Sequence, residues 1–177
     1  SAWIPIQYAN RLVLAGDHFQ LPPTVISPEA IRGGFNISLM ERMLALDGVP
    51  AAEDGGRSRM LNVQYRMHQD IMNFSSDVFY ERSLQADDTV RTALLSDLSQ
   101  VKSSPLTDCA IHFIDTAGAS YDEEQELDGD SRLNPLEAEL VIKKVHELLS
   151  CGLTSDQIAI ISPYSAQVKY LREKLKH

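Results

Sequence analysis

Two short stretches gather side chains that could do chemistry. The first is Gly16-Asp17-His18-Phe19-Gln20-Leu21-Pro22-Pro23, which follows the apolar run Leu12-Val13-Leu14-Ala15. It reads as a short buried strand ending at a glycine, then a polar loop with a carboxylate, an imidazole and an amide, stiffened by two prolines. Open α/β sheets place ligand chemistry at such strand ends. The second is Gln64-Tyr65-Arg66-Met67-His68, which follows the apolar Met60–Val63. A plain structural role is open to each of these side chains. Gln20 can bond its own loop backbone, Arg66 can sit in a surface ion pair, and Tyr65 can pack in a core. His18 and His68 read as structural or solvent-facing.

Elements that alternate along the chain must position these loops. Arg11–Ala15 reads as a strand. Thr24–Gly34 reads as a connector. Ser38-Leu39-Met40-Glu41 is a capping-box pattern that opens a helix, with Leu39, Met40, Met43 and Leu44 on its apolar face. Asp47-Gly48 and Gly55-Gly56 bracket a flexible loop. Met60–Val63 is a short strand, and a helix runs from about His68 to Tyr80 with Ile71, Phe74, Ser75 and Val78 at helical spacing. Ala110–Asp115 reads as a strand. Asn134-Pro135-Leu136-Glu137 carries three helix-start signals: an Asn cap, Pro at the first position and Glu at the third. Gly152 ends that helix. Gln157–Ser162 is an apolar strand rich in β-branched residues, Pro163-Tyr164 turns the chain, and Ser165–Lys176 is a last amphipathic helix. Apolar strands alternating with one-faced helices predict an α/β fold with a parallel sheet covered on both faces.

The 177 residues suffice for a domain with a real core. No apolar run approaches the roughly 20 residues of a membrane helix, and Ser1 opens no signal peptide. Cys109 and Cys151 lack metal-like spacing and read as free thiols. The formal net charge of −9 argues against a strongly basic nucleic-acid binder. Much of the excess lies in Asp122, Glu123, Glu124, Glu126, Asp128 and Asp130, which reads as a solvated, mobile loop. No metal site is expected there, because the glycine and spacing of a calcium loop are missing.

Four stretches resemble, in order, motifs of the superfamily 1B, Upf1-like (DNA2/NAM7) helicases. GDHFQLPP resembles a GD-x-x-QLPP loop, and QYRMH resembles the motif that opens the second motor lobe. Asn134-Pro135-Leu136-Glu137-Ala138 resembles an N-x-x-EA helix start. Ile161-Ser162-Pro163-Tyr164-Ser165-Ala166-Gln167 resembles an S/T-PY-x-x-Q segment. Trp3-Ile4-Pro5 echoes the immunoglobulin mu-binding-protein branch of that group. The resemblance implies a RecA-like parallel sheet flanked by helices, of the P-loop NTPase superfamily and incomplete in this chain. Residues 1–34 would end the first lobe and 35–177 would form most of the second.

The resemblance also implies ATP and Mg2+ as cofactors, single-stranded DNA or RNA as partner, the rest of the helicase as companion, no membrane association, and a cytoplasmic and/or nuclear location. Gln20 and Arg66 would be the catalytic pair, an amide that senses the terminal phosphate and a planar cation that meets charge on phosphoryl oxygens. Asp17, Tyr65 and Glu137 would be the nucleotide-binding residues, with Tyr65 on the adenine face. Helix capping is an alternative role for Glu137. Ser162, Tyr164 and Gln167, at a strand-to-helix turn, would touch the nucleic acid, or form an ordinary turn. No G-x-x-x-x-G-K-[ST] loop occurs in the chain, and the metal ligands would lie outside it. The 177 residues alone are therefore expected not to hydrolyse ATP. The competing expectation is a non-catalytic helicase-like module that binds nucleic acid or a protein partner.

Overall fold

The computed structural model describes residues 3–47, 58–126 and 129–176. The loop expected between Asp47-Gly48 and Gly55-Gly56 falls outside the described residues, apart from Asp47. The chain divides into two compact units between Asn62 and Val63.

The first unit holds three helices: α1 (Trp3–Ile6), α2 (Pro28–Arg32) and α3 (Leu39–Asp47). Each of the latter two starts where its sequence provides a hydroxyl. Ser27 Oγ accepts the Ala30 N–H at 3.3 Å, and Pro28 fills the first helical position, where no intrahelical N–H bond is needed. Ser38 Oγ accepts the Glu41 N–H at 3.1 Å, as its capping pattern predicts. Gly34, at φ +79°, reverses the chain between these helices, and its carbonyl accepts from the Arg42 guanidinium.

In the second unit, β1 (Val63–Gln64) pairs in parallel with β2 (Gln85–Ala86), in the register Val63 to Gln85. Between them lies α4 (Gln69–Phe79), whose first turn is capped by His68: Nδ1 accepts the Asp70 N–H at 3.1 Å. A 3-10 turn follows at Leu95–Asp97. β3 (Glu124–Gln125) and β4 (Arg132–Leu133) form a short antiparallel pair. α5 (Pro135–Ser150) comes next, then a 3-10 turn at Ser155–Gln157 and α6 (Ser165–Lys174).

α5 starts and stops where its sequence says. Asn134 Oδ1 accepts the Glu137 N–H at 3.0 Å. Gly152, at φ +109°, leads the chain out, and its N–H bonds the Leu149 carbonyl at 3.0 Å. The backbone then passes so close to the loop before Val101 that a Cβ on Gly152 would lie 2.1 Å from the Gln100 carbonyl oxygen. Lys102 N–H fixes that loop by bonding the Cys151 carbonyl at 2.7 Å.

Met72, Val101, Ala138, Leu153, Ala166 and Leu171 are the buried apolar residues among those described. Thr107 is buried completely, and its hydroxyl is fully engaged: Oγ1 accepts the Ser104 N–H at 2.8 Å and donates to the Lys102 carbonyl at 2.9 Å. Cys109 and Cys151 are both free thiols. No described helix is long and apolar enough to cross a membrane.

Two expectations are met only in part. First, the described residues do not form a broad parallel sheet: their parallel pairing is confined to β1 and β2. The runs Leu12–Ala15, Ala110–Asp115 and Ile158–Ser162 are unpaired, with Val13 90%, Phe113 88% and Ile161 91% exposed. A helix closes its hydrogen bonds within itself, whereas a strand's bonds go to neighbouring strands. These runs have the composition of central strands but no strand beside them. Second, the acidic run is partly ordered. β3 lies within it, Arg132 bonds Glu123 at 3.0 Å, and Lys169 comes within 3.8 Å of Glu126. Cations brought in from β4 and α6 offset its self-repulsion.

Two outcomes follow for stability. Gly152→Ala forces a Cβ onto backbone at a left-handed φ, so denaturant unfolding should show a loss of about 2 kcal/mol or more. Asp108 has its carboxyl pKa lowered, chiefly by the Ser103 hydroxyl at 2.6 Å, then by Ser96 and the Ser104 backbone. A pKa depressed on folding favours the folded state above the ordinary carboxylate value, and that support fades as pH falls through the lower folded value. Asp108→Asn should therefore flatten the acid limb of a stability–pH curve below about pH 4 and lower the neutral plateau.

Candidate nucleotide and nucleic-acid sites

The loop after Ala15 is held by its own carboxylate. Asp17 Oδ1 accepts the Phe19 N–H at 3.0 Å, and Oδ2 accepts from the Gln20 side-chain amide at 3.0 Å. The Gln20 N–H adds a turn bond to the Asp17 carbonyl at 3.3 Å. An aspartate followed by a chain that doubles back is a self-closing turn, and the prolines at 22 and 23 bar it from continuing as a helix. Gln20 is exposed, and Asp17 fixes one end of its amide while the rest faces solvent. His18 and Phe19 stack on each other, with ring centroids 4.0 Å apart.

The second loop is organised by a residue that the sequence reading did not single out. Gln64 sits at the end of β1 and clamps the turn that follows. Its Oε1 accepts the N–H groups of Arg66 at 2.8 Å and Met67 at 2.9 Å, while its Nε2 donates to the Met67 carbonyl at 2.8 Å. Three bonds from one amide fix the backbone on either side of Arg66. Tyr65 and Arg66 are left exposed, Tyr65 at 68%. The signal was present: an amide at a strand end can donate and accept at once, which a tight turn needs. Gln20 and Asp17 belong to the first unit, Tyr65 and Arg66 to the second.

The two remaining motifs, 33 residues apart, meet in one hydrogen-bonded clasp. The Gln167 side chain takes both main-chain groups of Asn134: Oε1 accepts its N–H at 2.8 Å, and Nε2 donates to its carbonyl at 3.1 Å. The Asn134 side chain caps α5 and donates to the Tyr121 carbonyl at 3.0 Å. Beside it, Ser131 Oγ caps the start of α6 by accepting the Ala166 N–H at 3.0 Å, and it also accepts from the Ser165 hydroxyl at 3.1 Å. With the Asn134 N–H taken by Gln167, the reciprocal bond expected from Glu137 is not made. The Glu137 carboxylate instead accepts from the Thr116 hydroxyl at 2.8 Å, tying the turn at 116–119 to α5. Gln167 is half-buried and spent on structure. Ser162 Oγ accepts the Tyr164 N–H at 3.3 Å, and Tyr164 is 47% exposed. Among the described residues no three His, Cys, Asp or Glu side chains converge as a metal site would require.

Comparison with known proteins agrees with the order of these loops. The AAA domain family matches residues 35–177, and a second AAA domain family matches residues 1–28. The chain belongs to the AAA domain family. The match bears out the resemblance to the superfamily 1B, Upf1-like helicase family, and the chain has the P-loop NTPase type of fold. It is 42% identical to DNA-binding protein SMUBP-2 of Mesocricetus auratus, over 100% of this chain and 17% of that protein. It is 38% identical to DNA polymerase alpha-associated DNA helicase A of Schizosaccharomyces pombe, over 98% of this chain and 26% of that protein. To the Regulator of nonsense transcripts 1 homolog of Drosophila melanogaster it is 36% identical, over 96% and 13% respectively. The chain spans about a quarter or less of the length of each of these relatives.

The clamp on Arg66 can be tested without touching the arginine. Gln64→Leu removes three bonds from the turn at once and should destabilise the second unit. Each such bond supports the fold by about 1 kcal/mol. Denaturant unfolding of Gln64→Leu beside the unaltered protein, with an expected loss of about 2–3 kcal/mol, provides the check.

Proposed function

We propose that this chain is the phosphate-sensing portion of an ATP-dependent helicase that moves 5′-to-3′ along single-stranded DNA or RNA. Residues 1–34 end the first motor lobe, and residues 35–177 make up most of the second. Leu12–Ala15, Ala110–Asp115 and Ile158–Ser162 are strands of RecA-like sheets in the whole protein. Their exposed apolar side chains support this reading, because burying one such side chain is worth about 1.5–3 kcal/mol and these are left bare.

The observation that carries the reading is the build of the two loops. Each spends one polar side chain, Asp17 or Gln64, on holding its own backbone. Each leaves a second one, Gln20 or Arg66, presented to solvent. Loops that present an amide and a guanidinium in this way suit a phosphate. Gln20 orients water and donates to the terminal phosphate, and Arg66 meets charge that builds on phosphoryl oxygens. Tyr65 packs on the adenine, Asp17 sets the angle of Gln20, and Glu137 braces the adjoining turn through Thr116. ATP brings the phosphoryl group when bound. The magnesium ligands lie elsewhere in the protein, since Asp17 has both oxygens engaged in its own loop. Ser162 and Tyr164 contact the nucleic acid, while Gln167 positions them. The protein works in the nucleus, the cytoplasm or both.

In the full-length protein, Arg66→Ala should lower the kcat of ATP hydrolysis on single-stranded nucleic acid by about 10³-fold, the loss expected for a cation on a transferring phosphoryl group. Gln20→Ala should act in the same direction, and neither should weaken single-strand binding in the absence of nucleotide. An Arg66→Ala enzyme with unchanged kcat would sink the proposal.

A further inference from the structure

The chain is acidic overall, with 25 carboxylates against 16 Lys and Arg. Yet residues 169–176 hold four of those cations and a single carboxylate, Glu173. Three of the four, Lys169, Arg172 and Lys176, recur every three or four residues and so share one face of α6 and its end. That face is turned away from the one that carries Ala166 and Leu171 into the core. Together with Ser162 and Ser165 at the start of the helix, the three cations line an open groove of about 530 Å³.

The row needs a reason. Like charges three and four apart on a helix repel and weaken it. The helix dipole rewards cations in the last turn, which accounts for Arg172. It does not account for Lys169, one turn from the start. Intramolecular pairing does not neutralise the row either. Among the described residues Lys169 has Glu126 at 3.8 Å and is still 71% exposed, and no carboxylate pairs with Arg172 or Lys176. Over seven residues the row covers about 10 Å of helix axis, which is longer than one phosphate. An extended polyanion fits such a row, and the two hydroxyls at its head can donate to phosphate oxygens.

We infer that this groove is a binding track for the phosphodiester backbone of a single strand, with Lys169, Arg172 and Lys176 as its cations and Ser162 and Ser165 at its head. The inference rests on the helicase reading and places the nucleic-acid contact along α6 as well as at the turn before it. It also explains the clasp: Gln167 and Ser131 hold the start of α6, and thereby the head of the groove, against α5 and β4. Backbone recognition ignores base identity, so DNA and RNA strands should both use the track.

The test is equilibrium binding of dye-labelled oligo-dT and oligo-U to the full-length protein, without nucleotide, across a series of salt concentrations. Each phosphate neutralised on a single strand contributes about 0.7 to the slope of log K against log salt. The combined Lys169→Gln, Arg172→Gln, Lys176→Gln protein should show a slope shallower by about 2, and about tenfold or more weaker binding near 0.1 M salt, with both oligonucleotides. Binding of a fluorescent ATP analogue should not change. Glu173→Lys adds a cation to the same groove and should tighten binding and steepen the slope. Unchanged slopes in both variants, with the unaltered protein binding normally, would overturn the track and leave the helicase reading standing. A loss confined to one of the two oligonucleotides would also overturn it, because a backbone track serves both. Failure of the unaltered protein to bind either strand would overturn the helicase reading itself.

Discussion

The second unit hangs on one amide. The side chain of Gln167 satisfies both main-chain groups of Asn134, at the residue where α5 begins. That residue's own side chain caps α5 and reaches back to Tyr121, and Ser131 next to it caps α6. A polar group buried without a partner costs about 1–3 kcal/mol. Removing Gln167 would orphan the Asn134 N–H, leave its carbonyl with the Ala138 N–H alone, and loosen the junction of both helices. The Thr116 turn, the end of the acidic run and the Ser162–Tyr164 turn are all tied to this junction. Two of the four helicase-like motifs are thus one structural object, whose job is to hold the turns on either side of it.

The same division of labour runs through the two loops proposed to bear on phosphate. Asp17 and Gln64 are consumed by their own turns, and this frees Gln20 and Arg66 to face outward. A side chain meant to sense a ligand must keep donors free for it, yet its backbone must be held still. Both loops meet that condition with a single residue each. The resemblance singles out Gln20 and Arg66; the hydrogen bonds add what holds their loops, Asp17 in one and Gln64 in the other.

Much of this was legible in the sequence, and the failures share a cause. Ser38, Asn134 and Gly152 marked helix ends correctly, and α4 and α6 lie within the ranges their periodicity suggested, because caps and helical bonds are local. The strands at 11–15, 110–115 and 157–162 were read from composition. Composition records what a strand is written to sit among, but pairing depends on neighbours far along the chain. For the same reason Gln167 was picked out as a polar residue at a turn, while its partner 33 residues away was invisible. Glu137 was assigned to a capping bond that Gln167 had already taken.

The central proposal is that Gln20 and Arg66 both act on the terminal phosphate of ATP in the whole protein. A double-mutant cycle on the ATPase activity of the full-length protein tests it most directly, using Gln20→Ala, Arg66→Ala and the pair. Residues that act as a unit on one transferring group are strongly non-additive. The double variant should therefore be little slower than the Arg66→Ala enzyme alone. Effects on kcat that simply multiply would mean that the two side chains act independently, and would contradict a shared phosphate.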